Sequence, residues 1–147
     1  MISENTKTNE KADGQCLCGA VSFACDMPSP SVGACHCLTC QGWGGGPLLA
    51  ADCGSNVAFQ GETNISIYTS SEWAERAFCK ICGNDLFYRL KHDDRHIAPA
   101  GLFRNGPAFN LDHQIFIDEQ PGYFSFSNKT HNMTGEEVFA QAQADQP

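Results

Sequence analysis

Seven of the nine cysteines in this 147-residue chain fall into three tight groups: Cys16-Leu17-Cys18-Gly19, Cys35-His36-Cys37-Leu38-Thr39-Cys40 and Cys79-Lys80-Ile81-Cys82-Gly83. Thiolates at such spacings ligate metal. An all-sulfur set favours zinc, with iron in a rubredoxin-like cage as the alternative. A closed zinc site takes four protein ligands, whereas a site that binds or transforms a substrate keeps three and leaves one position exchangeable. Seven divides into four and three. The Cys79-x-x-Cys82-Gly83 knuckle supplies two sulfurs on a tight turn, with glycine free to take the left-handed backbone that follows. Cys16-x-Cys18-Gly19 is a second pair in need of partners. Cys35, Cys37 and Cys40 can surround one ion unaided. The sequence therefore assigns Cys16, Cys18, Cys79 and Cys82 to a closed structural site and Cys35, Cys37 and Cys40 to an open one, two zinc ions per chain.

Other residues near these groups have two readings each. His36 lies between two ligands, and in an extended segment its ring points away from both. It either carries a proton beside the open site or makes a structural hydrogen bond. His113, in the apolar run from Leu111 to Ile117, is expected to share a strand face with Leu111, Ile115 and Ile117 as a core or pocket residue. Trp43 and Gly44 with the glycines that follow form either a pocket wall that receives a substrate or a turn with one packed aromatic. Cys25 reads as a small buried apolar residue. Cys53 is a spare ligand, a reactive thiol or another buried thiol.

The elements that must position these groups are short. Val21, Phe23 and Cys25 alternate with Ser22 and Ala24, the period of a strand with one buried face. Further strands are expected at 56–60, 65–69, 73–78, 86–90, 96–98, 111–117 and 123–126, each ended by Gly, Asn, Asp or Pro. Residues 42–47 are expected as a loop. Only the chain end looks helical, where Thr134-Gly135-Glu136-Glu137 has the capping-box pattern. The fold class is thus mainly β, with a short C-terminal helix. Residues 1–13, polar and charged, are expected to be a flexible tail, and residues 14–147 a single domain, a length that supports one core.

The formal charge of −8 disfavours a phosphate backbone as partner. Scattered basic residues, Arg76, Lys80, Arg89, Lys91 and Arg95, read as solvated charges rather than a nucleic-acid patch. No run approaches the roughly 20 apolar residues that span a bilayer, and no secretory h-region precedes the first cysteine. With an odd cysteine count, this points to a reducing, cytoplasmic setting without a membrane partner.

Taken together, the segments GQCLCGAVSF, CHCLTC followed by an aromatic and glycines, FCKICGNDLFYR, and HQIFID with Pro121 and Tyr123 beyond it resemble the glutathione-dependent formaldehyde-activating enzyme (GFA) family, whose domain also occurs in centromere protein V. The resemblance implies a tent-like fold of several small antiparallel sheets organised around zinc, and the same four-plus-three division of ligands. It implies a carbon–sulfur lyase of GFA type, joining glutathione to formaldehyde as S-(hydroxymethyl)glutathione. Its partners would be a small thiol such as glutathione and an aldehyde. In that chemistry a bound thiol attacks the aldehyde carbon, and His36, His113 or water protonates the oxygen. A noncatalytic zinc module that binds a small adduct or a protein partner is the alternative.

Overall fold

The computed structural model describes residues 10–27, 29–104 and 107–144. In chain order the strands and helices are β1 (Glu10–Gln15), β2 (Ser22–Met27), β3 (Ser31–Cys35), α1 (Leu38–Gly44), β4 (Leu48–Asp52), β5 (Val57–Gln60), β6 (Ile65–Thr69), β7 (Ala74–Cys79), β8 (Asp85–Leu90), β9 (Arg95–Pro99), β10 (Asn110–Ile115), β11 (His131–Met133) and α2 (Gly135–Ala144). The protein is mainly β, with several sheets and a short C-terminal helix. The chain forms two compact units. One contains the chain up to Pro30 with Ala51–Phe109; the other contains Ser31–Ala50 and the chain from Asn110 onward. The backbone passes from the second unit to the first within β4.

In the first unit, β1, β2 and β5 form an antiparallel sheet in which Phe23 pairs with Phe59 and Cys25 with Val57. β6 to β9 form a second antiparallel set joined by short connections. The expected alternation in β2 is present: Val21, Phe23 and Cys25 are buried and Ala24 is exposed. Phe23, Phe59, Phe87 and Phe103 interlock, with ring centroids 5.2 to 5.9 Å apart, and Leu86 is fully buried among them. Burying a side chain of this size contributes about 1.5–3 kcal/mol. At Gly61 (φ 82°) a Cβ would collide with the Ala20 carbonyl oxygen, so only glycine lets the turn after β5 approach the chain just beyond Cys18.

In the second unit β10 lies between β3 and β11 and is parallel to both, a departure from the antiparallel sheets expected. The register slips at Asp112, so that His113 pairs with Gly33 and Ile115 with Cys35. β10 ends at Ile115 rather than continuing to Ile117, because Phe116 takes a left-handed conformation (φ 55°) and starts a 3₁₀ turn at Ile117–Glu119. Its ring packs edge-on against Phe139 of α2, at 5.7 Å, and leaves no room for a Cβ at Gly135. The expected capping box of α2 is formed. The Thr134 N–H donates to Glu137 Oε1 (2.8 Å) and the Glu137 N–H to Thr134 Oγ1 (3.2 Å).

Three further expectations are corrected. Residues 10–13, assigned to a tail, belong to β1, where Ala12 is buried; residues 1–9 lie outside the described residues. The expected loop at 42–47 is half helix, since α1 runs to Gly44 and ends on Gly45 in the left-handed conformation. No strand forms at 123–126. There the alternation of Phe124 and Phe126 serves to pack both rings on His36, at 5.8 and 6.2 Å, rather than to pair with a sheet.

Candidate metal centres

The four-cysteine group lies wholly in the first unit and the three-cysteine group wholly in the second. Within each, the sulfur atoms lie within 4.8 Å of one another. In the first, Cys16 and Cys18 sit on one turn and Cys79 and Cys82 on another, and the Sγ separations Cys16–Cys18 and Cys18–Cys79 are both 3.7 Å. That is close to the edge, about 3.8 Å, of a tetrahedron built on zinc–sulfur bonds of about 2.3 Å. The residues fit a metal ion.

Both turns are made by the same means. Gly19 (φ 78°) and Gly83 (φ 80°) each follow the second cysteine of a pair in the left-handed region. The Gly19 N–H donates to Cys16 O at 3.1 Å, and the Gly83 N–H to Cys79 O at 2.7 Å. Backbone N–H groups point at sulfur, from Val21 to Cys16 Sγ (3.4 Å) and from Cys82 to Cys79 Sγ (3.5 Å). Asn84 ties the pairs together by accepting from the Leu17 N–H at 2.9 Å. Hydrogen bonding from the Asn84 N–H pulls the Cys82 thiol down to about 6. Cys18 is pushed up to about 11: the Ala20 N–H lowers it, but desolvation and hydrogen bonds shared with Cys16, Cys82 and Cys79 outweigh that. Four crowded thiols cannot all ionise without a cation between them.

The three-cysteine group is local. Cys35 ends β3, Cys37 caps α1 and Cys40 is the buried residue of that helix. Cys37 Sγ accepts from the Cys40 N–H at 3.3 Å. Hydrogen bonds with Cys37 and Cys40, then burial, push the Cys35 thiol far up, again the signature of a site that needs a cation. Residues beyond the motif hold the loop. Gln41 Nε2 donates to His36 O (2.7 Å) and Glu119 O (3.0 Å), and Glu119 Oε1 accepts from the Leu38 N–H (2.9 Å).

His36 is fully buried, bonded through Nε2 to Gln114 Oε1 at 2.8 Å and boxed by Phe124 and Phe126. His113 is half-exposed, and its Nδ1 lies 2.7 Å from Asp112 Oδ1. Its ring stands over Gly33, where it would overlap any Cβ. Trp43, half-buried, and the exposed Gly44 lie at the end of α1. Cys25 and Cys53 are buried in the core of the first unit, outside both groups, and hydrogen-bond to each other. Two of the basic residues pair with acids, Arg89 with Glu75 and Asp94 and Arg95 with Asp52 and Asp93, and the Arg76 guanidinium lies over the Tyr88 ring. Sequence reasoning missed Gln41, Asp112, Gln114 and Glu119. Gln114 and Glu119 are a polar residue in a buried strand and an acid just past it, a weak signal; Gln41 and Asp112 carry none.

The fold and sites define a mainly β protein with two cysteine clusters able to hold metal ions. The sequence signature of the glutathione-dependent formaldehyde-activating enzyme matches residues 11–119, and the chain belongs to that family. It is 34% identical over 127 residues to an uncharacterized lyase of Schizosaccharomyces pombe, covering 86% of this chain and 93% of that protein. A crystal structure of a Rhodobacter sphaeroides protein has the same fold, with a TM-score of 0.56 and 21% identity over 65% of this chain and 90% of the other. Both cysteine groups fall inside the family match; β11 and α2 fall outside it. Among the described residues no helix is long and apolar enough to cross a membrane.

Proposed function

We propose that this chain is a zinc-dependent carbon–sulfur lyase or synthase acting on an aldehyde–thiol adduct, with S-(hydroxymethyl)glutathione, formed from glutathione and formaldehyde, as its candidate substrate. The observation that carries this reading is the inequality of the two clusters: four sulfurs close one site, and three leave the other a ligand short. Two zinc ions per chain follow, one structural at Cys16, Cys18, Cys79 and Cys82, the other at Cys35, Cys37 and Cys40. An ion held by three thiolates supplies Lewis acidity at its fourth position, lowering the pKa of an incoming thiol. The chain's own groups do the rest. The Gln41 and Glu119 hydrogen bonds fix the loop so that three sulfurs converge, and His36 anchors its start from the far face of β3. Trp43 and Gly44 form the wall for a peptide-like thiol. The chemistry suits a cytoplasm rich in small thiols.

Thiols add to formaldehyde unaided, so the test is kinetic. Adduct formation and breakdown are measured by NMR exchange against a protein-free blank, for wild type and Cys37→Ser. The reading expects rates above blank that the variant loses. Blank-level rates across several thiols would leave the chain a noncatalytic zinc module.

A further inference from the structure

Ser31, Asp112 and His113 form a hydrogen-bonded array where β10 pairs with β3, the strand that ends at Cys35. Ser31 Oγ donates to Asp112 Oδ1 at 2.6 Å, and His113 Nδ1 meets the same oxygen at 2.7 Å, with Ser31 Oγ 3.4 Å from Nδ1. The hydrogen bonds from His113 and then Ser31 hold the Asp112 carboxyl below the usual range. It is an anion that only accepts, so Nδ1 carries a proton toward Asp112, and in the neutral ring Nε2 is then the atom with the lone pair. The register slip at Asp112 makes this possible, since it sets Asp112 out of the ladder next to Ser31 while His113 pairs with Gly33.

The direction of the ring follows from Gly33. The imidazole occupies the space of a Gly33 Cβ, so it lies on the face of β3 toward which residue 33 points. Side chains alternate along a strand, so Cys35 faces the same way, about 6.6 Å further on. His36, on the opposite parity, bonds to Gln114 on the other face. Of the two histidines, His113 is on the Cys35 side and half-exposed, whereas His36 is sealed in an aromatic box.

We propose that His113, oriented by Asp112 and Ser31, is the catalytic residue that carries the thiol proton to the aldehyde oxygen. This rests on reading the three-cysteine cluster as the reaction site. The thiol S–H breaks with its proton passing to Nε2, and the sulfur pair forms the C–S bond to the aldehyde carbon. The carbonyl π pair moves to oxygen, which takes the proton back from Nε2. The imidazole returns neutral, one proton enters and leaves, and nothing is oxidised or reduced. Asp112 stabilises the transient imidazolium, and proton transfer by a positioned side chain such as His113 is worth about 10²–10⁴-fold.

The experiment uses the zinc-loaded full chain with ¹⁵N-labelled histidine, and follows the His113 nitrogens by NMR as reduced glutathione is added, with binding measured separately by calorimetry. Free protein should show the Nδ1–H tautomer, and saturating glutathione should move Nε2 toward its protonated shift. Asp112→Asn should lose that tautomer preference. His113→Gln should keep both metal ions, lose about 10²-fold in kcat above the blank and hold KM within about threefold. Glutathione binding with Nε2 unmoved, or a wild-type rate in His113→Gln, overturns this assignment and leaves the reading of the site intact. No binding of glutathione or of any other small thiol to wild type overturns both.

Discussion

Individual cysteines in this chain differ in what they support. Cys79 is completely buried, ends β7 and lies within the core of the first unit, 3.7 Å from Cys18. Cys40 is equally buried but belongs to a seven-residue helix outside that core. Cys79→Ser is therefore expected to lose its ion and unfold the first unit at 37 °C, since structural zinc supplies about 10–16 kcal/mol in small zinc-binding peptides. Cys40→Ser should lose one ion with the folded far-UV spectrum retained. Metal analysis beside thermal melts checks both, and equal unfolding would sink the division of labour. His96 gives a pH-dependent counterpart. It is buried against Phe59 and Phe87, and burial depresses its pKa below the ordinary value of about 6.5. An unfolded chain takes up a proton there that the native one resists. The stability due to neutral His96 is thus complete above about pH 6.5 and is lost as pH falls through the lower native value. Urea midpoints at pH 7.5 and 5.5 should differ more for wild type than for His96→Phe. At this scale the two cysteine groups able to hold metal were legible because spacing alone marks them. The hydrogen-bonding partners were not: Glu119 reaches Leu38 and Gln41 across about 80 residues of chain, and Gln41, though local, follows no spacing rule.

Elements were legible where a local pattern coincided with a local cause. Alternation located β2 and β5 to β9 to within a residue or two, and the capping box located α2. α1 was hidden by its glycines, which are poor helix formers; what starts it is a cysteine sulfur acting as cap, and what ends it is left-handed Gly45. Phe124 and Phe126 alternate as strand residues do but answer to His36 instead. The parallel pairing of β10 could not be foreseen, because direction depends on connections that periodicity does not record. Two substitutions test the local causes. Gly61→Ala places a Cβ on the Ala20 carbonyl and strains a left-handed backbone, and should cost at least about 2 kcal/mol in a denaturant titration. Thr134→Ala removes the cap of α2 and should cost about 1 kcal/mol.

On the scale of the whole molecule, the two clusters belong to different compact units, and their metal ions should leave independently. A mild chelator is expected to remove the ion of the three-cysteine site in a fast phase, with the other retained until the first unit melts. Release followed with a colorimetric zinc indicator should therefore be biphasic, one equivalent in each phase, and a single phase would contradict it. A further consequence concerns biosynthesis. Cys35, Cys37 and Cys40 leave the ribosome almost together, yet β10, which pairs with β3, begins about 75 residues later. At about 5–20 residues per second, the trio waits roughly 4–15 s for its neighbour. During that interval it is three nearby thiols on an unfinished chain, open to capture by any soft metal or to oxidation. Selection of the correct ion at this site is thus a matter for the cell's supply of free metal during translation, before the fold can exert any preference.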